Sequence, residues 1–185
     1  MNIRITFIFI FLFSLNCYSQ QSSEYIALIK DLKPRKTKTI DLKFSNGNQK
    51  EIGFSNEFEF GDYIYSYYTG KRTQYYRKGT IVYEYEYDDF GVLLSCRWYD
   101  GFDNLLRETL TLEIDSKAKN LKEFLDSDKH LTIKTIERIY RWSTDLNKYY
   151  VKKEGKKING KKVGIWKTYS DNGNLIKESN HKVLE

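Results

Sequence analysis

Glu84 and Glu86 are the residues of this chain whose type and spacing come nearest to catalytic chemistry. They alternate with tyrosines, so in a strand both carboxylates lie on one face, roughly 6–7 Å apart. That separation falls between those typical of retaining and of inverting glycosidases. Alternating glutamates are also the ordinary wet face of an amphipathic strand, often opposite a cation on the neighbouring strand, here Arg97. We favour this second interpretation and predict no catalytic residues.

Metal and nucleophile chemistry has few candidates. His130 and His181 have no second histidine or cysteine at ligand spacing, so we predict no metal site and no cofactor. Cys96 alternates with Leu94 and Trp98, which favours a buried strand thiol. A pairing of Cys96 with either histidine stays open as a nucleophile, although burial in a strand argues against it.

Two acidic turns could place several oxygen atoms on a calcium ion. They span residues 100–104 and 171–174, both rich in Asp and Asn. Turns favour these residue types in any case, because their side chains hydrogen-bond the local backbone. We therefore expect ordinary turns. The phosphate-binding and dinucleotide-binding glycine motifs do not occur in the sequence.

An aromatic stripe is the first candidate binding surface. Tyr83, Tyr85 and Tyr87 alternate with acidic residues, which predicts one aromatic and one acidic strand face. An exposed stripe would stack on sugar rings or meet a protein partner, because a contiguous aromatic patch needs one. If the three rings instead face a core beneath a helix, the sugar platform disappears.

A lysine-rich C-terminal segment is the second candidate. From Lys148 to Glu185 there are ten lysines and four acidic residues. Lys161, Lys162 and Lys167 are candidate contacts for anionic glycans or lipid headgroups. Paired lysines would point to opposite faces of a strand, which dilutes any one patch, and lysines also protect exposed sheet edges. The segment contains no arginine for bidentate phosphate recognition, so no nucleic acid partner is expected.

The N-terminus predicts export. Met1–Ser19 has Arg4 followed by an apolar run too short to span a membrane, then a small-residue cleavage site after Ser19. We predict a cleaved signal peptide over residues 1–19 and a periplasmic or secreted chain. The alternative is a lipid anchor on Cys17, although the residues before it depart from a lipobox.

Residues 20–185 are predicted to form a single mainly β domain, an antiparallel meander of hairpin repeats with about nine to eleven strands and two short helices. Helical spacing marks Tyr25–Lys33 and Asp115–Asp126. A 12-residue repeat aligns residues 87–94 with 99–106, and 169–176 has the same skeleton. The predicted strands are Thr39–Phe44, Gln49–Phe54, Tyr63–Tyr68, Thr73–Arg77, Thr80–Tyr87, Thr132–Trp142 and Lys148–Lys153.

The segment from Gly160 to Glu178 reads Gly-Lys-Lys-x-Gly-x-Trp-x-x-Tyr-x-x-x-Gly-x-Leu-x-x-Glu. It resembles the variant MORN repeat of YwqK-like proteins, with a unit over residues 158–180. The Tyr-Asp-x-x-Gly-x-Leu stretch in the middle also resembles RHS/YD repeats. The resemblance implies β-hairpin units laid side by side into an elongated sheet, without catalytic residues, in interaction modules, antitoxin-like or membrane-associated proteins. Trp166 and Tyr169 of this unit complete the candidate ligand-binding set.

Together these patterns predict an exported, non-catalytic β-repeat binding module that meets a protein partner at the cell envelope. The alternative is a module for carbohydrate or an anionic surface, using the tyrosine-rich face or the lysine-rich unit.

Overall fold

One open meander sheet forms most of the protein, as predicted. The computed structural model describes residues 20–126 and 128–182, so the predicted signal peptide and Cys17 lie outside it. The strands are β1 Gln20–Gln21, β2 Lys36–Lys43, β3 Gln49–Phe60, β4 Tyr63–Tyr75, β5 Ile81–Tyr87, β6 Leu93–Tyr99, β7 Leu105–Ser116, β8 Leu131–Ser143, β9 Lys148–Ile158, β10 Lys161–Tyr169 and β11 Leu175–His181. The helices are α1 Ser23–Ile29 and α2 Leu121–Asp126, followed by a 3₁₀ turn at Asp128–His130. From β2 to β11 each strand pairs antiparallel with the next, and β1 pairs parallel with β7.

The sequence repeat arises from a repeated turn. Five hairpins share a five-residue turn. In each turn the backbone N–H of the first residue donates to the carbonyl of the fifth residue, and the carbonyl of the first residue accepts from the N–H of the fourth. The fourth residue always has a positive φ, which glycine adopts without strain. The turns span 44–48, 76–80, 88–92, 100–104 and 170–174, with Gly47, Gly79, Gly91, Asp103 and Gly173 at the fourth position. The backbone register shifts beside every one of them, as in a hairpin with a bulge.

Several predicted boundaries were wrong. Tyr63–Tyr68 and Thr73–Tyr75 belong to one strand, because Gly70, with φ of 60°, is absorbed as an irregularity instead of a turn, while Tyr76 and Arg77 lie in the following turn. Both helices are shorter than predicted. The sequence offered Asp115 or Ser116 as the cap of the second helix, but both continue β7, and α2 is capped by Asn120, whose Oδ1 accepts from the backbone N–H of Glu123.

The apolar core lies beyond the β5–β6 turn, where the longer β3–β4 and β7–β8 hairpins overhang it. Both helices fill this space. The buried side chains are Tyr25, Val92, Ile114, Phe124 and Leu125. Hydrogen bonds fix the helices to the overhanging strands: Tyr65 donates to Asp126, and Ser22 donates to Asp115.

Candidate functional site

Glu84 belongs to a row of alternating charges that crosses seven strands on one face of the sheet. In register order the row is Glu84, Arg97, Glu108, Arg138, Glu154, Lys167 and Glu178, from β5 to β11. We call this side the ladder face. Arg97 lies opposite Glu84, as the sequence indicated. Each of the five inner side chains thus has opposite charges beside it on both neighbouring strands, an arrangement that favours this register.

The carboxylates of the ladder face are held by hydrogen bonds. Buried Glu108 accepts from Arg97 Nε at 2.9 Å and from Arg138 at 3.3 Å. Glu84 accepts from the Tyr99 hydroxyl at 2.5 Å, while Glu86 is exposed and points to solvent. Hydrogen-bonded, ion-paired carboxylates of this kind stabilise a sheet and are poorly placed to exchange protons with a substrate.

The aromatic stripe is a stack of rings on the opposite face. Tyr83 and Tyr85 have centroids 5.5 Å apart, Tyr85 and Tyr87 5.9 Å, and Tyr83 stacks on Trp98 at 6.3 Å. None of the three tyrosines belongs to the helical core. Burial raises the pKa of Tyr85 to about 12. Because the rings cover one another's faces, the stripe presents mainly ring edges and hydroxyls.

Both ends of this aromatic stack are also covered. Tyr68 lies against Tyr87 at 5.7 Å, and the Arg72 guanidinium lies 4.0 Å from the Tyr68 ring centroid. Arg107 lies 5.7 Å from Trp98 at the other end. Sugar stacking needs open ring faces, so the structure gives the glycan interpretation little support at these residues.

The tyrosine side of the sheet also carries Cys96 and Thr109. Tyr85, Cys96, Thr109 and Glu137 are successive register partners across β5 to β8. We call this side the cavity face, because a cavity lies on it. Cys96 is half-buried, not fully buried as the sequence suggested, and burial raises the pKa of its thiol. A raised pKa leaves less thiolate, which makes Cys96 a poor nucleophile.

The structure gathers one lysine from each of three sequence pairs on the cavity face. Lys153 and Lys157 lie four residues apart on β9, and Lys162 of β10 lies opposite Lys157. We call these three residues the lysine cluster. Lys162 Nζ lies 4.5 Å and Lys153 Nζ 5.8 Å from the centroid of the Trp166 ring. Strand alternation does send the two lysines of each pair to opposite faces, as expected. One lysine from each pair nevertheless comes together with the others on the cavity face.

The remaining predicted ligand residues do not join the lysine cluster. Trp166 is fully buried and donates from Nε1 to the Lys156 carbonyl at 2.9 Å, so it packs within the unit and offers no open platform. Lys167 and Tyr169 belong to the ladder face, where the Tyr169 hydroxyl donates to Glu154 at 2.7 Å. Lys161 is exposed opposite Ile158, one position away from Lys162 and therefore on the ladder side.

The aspartates of the two acidic turns already accept hydrogen bonds from other groups of the protein. Asp100 Oδ1 accepts from the backbone N–H groups of Phe102 and Asn104 at 2.7 and 3.0 Å. Asp171 accepts from the Tyr150 hydroxyl at 2.5 Å and from Lys152 at 3.3 Å. Across residues 20–126 and 128–182, no three His, Cys, Asp or Glu side chains are grouped as a metal site would require. The same residues include no helix long and apolar enough to cross a membrane.

A cavity of about 480 Å³ lies on the cavity face beside the lysine cluster, and sequence reasoning missed it. Its wall is part apolar and part hydroxyl, with one cationic side chain at the β9 end. The lining residues are Leu93, Thr109, Thr111, Leu131, Ile133, Thr135, Lys157, Asn159 and Gly160. Four strands and the β9–β10 turn supply them, so no local pattern in the sequence indicates this surface.

Comparison with protein-family models, with curated proteins and with solved structures finds no match to this chain. The resemblance of residues 160–178 to a variant MORN unit therefore stays a prediction, and function must be argued from the molecule itself.

Proposed function

We propose that this protein is an exported, non-catalytic binding module that meets a protein partner at the cell envelope through its free edge strand β11. The observation that carries the proposal is the difference between the two sheet edges. Three of the eight residues of β2 are lysines, which discourage pairing with another chain. Among the seven residues of β11 there is one.

The β11 edge also carries exposed apolar side chains. Leu175 and Ile176 are 50% and 60% exposed, and Ile165 on the adjacent strand is 55% exposed. A strand from a partner that adds to β11 would gain backbone hydrogen bonds and cover these side chains. The ladder-face charges end at Glu178 on β11, so a partner strand with a cation in register would continue the row.

Site-specific photocrosslinking in intact cells of the native host tests this proposal. A photoreactive phenylalanine derivative at exposed Asn180 on β11 should give one discrete protein adduct. The matched control places the same group at exposed Thr39 on β2 and should give none. Equal adducts at both positions, or none at either, would refute an interface at β11.

The alternative, binding of an anionic surface, draws its support from the lysine cluster. Sedimentation with vesicles rich in an anionic phospholipid, compared with neutral vesicles, distinguishes it from the edge-strand proposal. Selective sedimentation that is unaffected by the Asn180 substitution would favour the surface interpretation.

A further inference from the structure

We infer that the cavity on the cavity face binds a single-chain amphiphile, with its anionic head at the lysine cluster and its apolar chain along the cavity. This is a small-molecule site, separate from the edge strand proposed to meet a protein. Its volume of about 480 Å³ falls in the range of known ligand sites.

The lining has the polarity that such a ligand needs. Leu93 on β6 and Leu131 and Ile133 on β8 supply apolar surface, and Lys157 on β9 supplies the positive charge. Thr109 on β7 and Thr135 on β8, the register partner of Lys157, offer methyl groups as well as hydroxyls. The cavity crosses from β6 to β9, three strand spacings or roughly 14 Å, which accommodates an extended alkyl chain of medium length.

The lysine cluster has more positive charge than its surroundings neutralise. Lys157 donates to Glu137 at 2.7 Å, and this buried carboxylate is the acidic side chain paired with the cluster. Three ammonium groups and one carboxylate leave an excess of two positive charges. Burial lowers the pKa of Lys162, and the nearby charges of Lys153 and Lys157 lower it further, opposed by Glu137. An anionic head would relieve this repulsion.

The absence of arginine from the cluster bears on the head group. Lysines act as point charges without the planar fork of a guanidinium, so the site does not require a bidentate geometry. Carboxylate and phosphate monoester heads share the chemistry that the cluster recognises. The chain, not the head, therefore supplies the shape selectivity.

Isothermal titration with decanoate, below its micellar concentration, tests the proposal on the mature protein. Decanoate should bind with one-to-one stoichiometry, while acetate, which lacks the chain, and decanol, which lacks the charge, should each bind at least about tenfold more weakly, a loss of about 1.4 kcal/mol. Decyl phosphate serves as a second probe and should compete with decanoate.

The paired lysines provide a matched control. Lys153→Gln with Lys162→Gln should weaken decanoate binding about tenfold or more. Lys156→Gln with Lys161→Gln removes the same charge from the ladder side, where both residues are exposed, and should leave affinity within about twofold. Thr135→Phe fills the cavity and should abolish binding while far-UV circular dichroism stays unchanged.

Three results would overturn the inference. Equal weakening by both lysine pairs would indicate diffuse surface charge, and equal binding of acetate and decanoate would exclude a site for the chain. Binding to anionic vesicles without binding to free decanoate would assign the lysine cluster to a membrane surface instead. The variants at Lys153 and Lys162 leave the Lys157–Glu137 ion pair intact, so a loss of decanoate binding in them would not come from breaking that pair. None of the three results requires the Thr135 variant, which is the more disruptive change.

Discussion

Replacing Gly155 by alanine should destabilise the C-terminal hairpins strongly. A Cβ at position 155 would lie 2.4–2.5 Å from three atoms of the Trp166 ring. Carbon atoms pack at roughly 3.5–4.0 Å, so the ring must move by about 1 Å. The ring is fully buried and its Nε1 hydrogen-bonds a carbonyl, so it has no open space to enter.

The expected loss of unfolding free energy has two contributions. Overpacking a well-filled site costs about 1–3 kcal/mol. Losing or distorting the Trp166 hydrogen bond adds about 1 kcal/mol. We expect Gly155→Ala to lower the free energy of unfolding by about 2–4 kcal/mol, measured by urea denaturation followed by circular dichroism.

Gly101→Ala is the matched control. Its Cβ would meet only the flexible end of Lys78, with the nearest atom at 2.7 Å, which can move aside. The change in unfolding free energy should stay within about 1 kcal/mol.

Trp166→Leu supplies the second test, because in that background Gly155→Ala should cost less than about 1 kcal/mol. A cost of Gly155→Ala below 0.5 kcal/mol, or one unaffected by Trp166→Leu, would refute the close-packing argument.

Three further predictions concern the ladder face, a buried ion pair and the N-terminus. Glu108→Gln should lower the unfolding free energy by about 1–2 kcal/mol, discounted for its partly exposed arginine partners, and Glu178→Gln at the end of the row by less than about 0.5, both in urea denaturation. The hydrogen bond from Arg72 lowers the pKa of Glu51 below 4.5. The stability that the ionised Glu51 contributes is therefore complete above about pH 4.5 and is lost as the pH falls through the lowered pKa. Glu51→Gln should therefore flatten the acid limb of the urea midpoint below about pH 5, and an unchanged slope there would contradict this. Intact mass of the protein from its native host should show a chain that begins at Gln20, whereas an acylated N-terminus at Cys17 would replace export in free form by a lipid anchor.

The meander was predictable because its signals are local. The Asn-Gly pair at Asn159 and Gly160 takes two positive φ values, as a two-residue hairpin turn requires. Strand alternation likewise fixed Tyr83 and Tyr85 on one face. Helix ends were less predictable, because Asp115 is a good cap in isolation but pairs with Thr132 in the sheet.

The candidate site was less predictable because it depends on register between distant strands. Alternation alone says that Lys157 and Lys156 diverge, but not that Lys162 comes to lie beside Lys157. The cavity needs Leu93 and Thr135 on one surface, although they lie on separate hairpins. In the sequence Gly155 resembles any other strand glycine, because its close contact with the Trp166 ring depends on how β9 and β10 pack.

The pairing of β1 with β7 determines the order in which the fold can be completed. In the part of the chain that the structure describes, the other strand pairs join sequence neighbours, most of them through short turns, which favours rapid folding. The segment around Ser22 must instead find Asp115, 93 positions along the chain. Closing so long a loop carries the larger entropic cost, so we expect the N-terminal segment to dock after the hairpins that build β7. Until it docks, Tyr25 cannot enter the core, and the helical end of the sheet stays open.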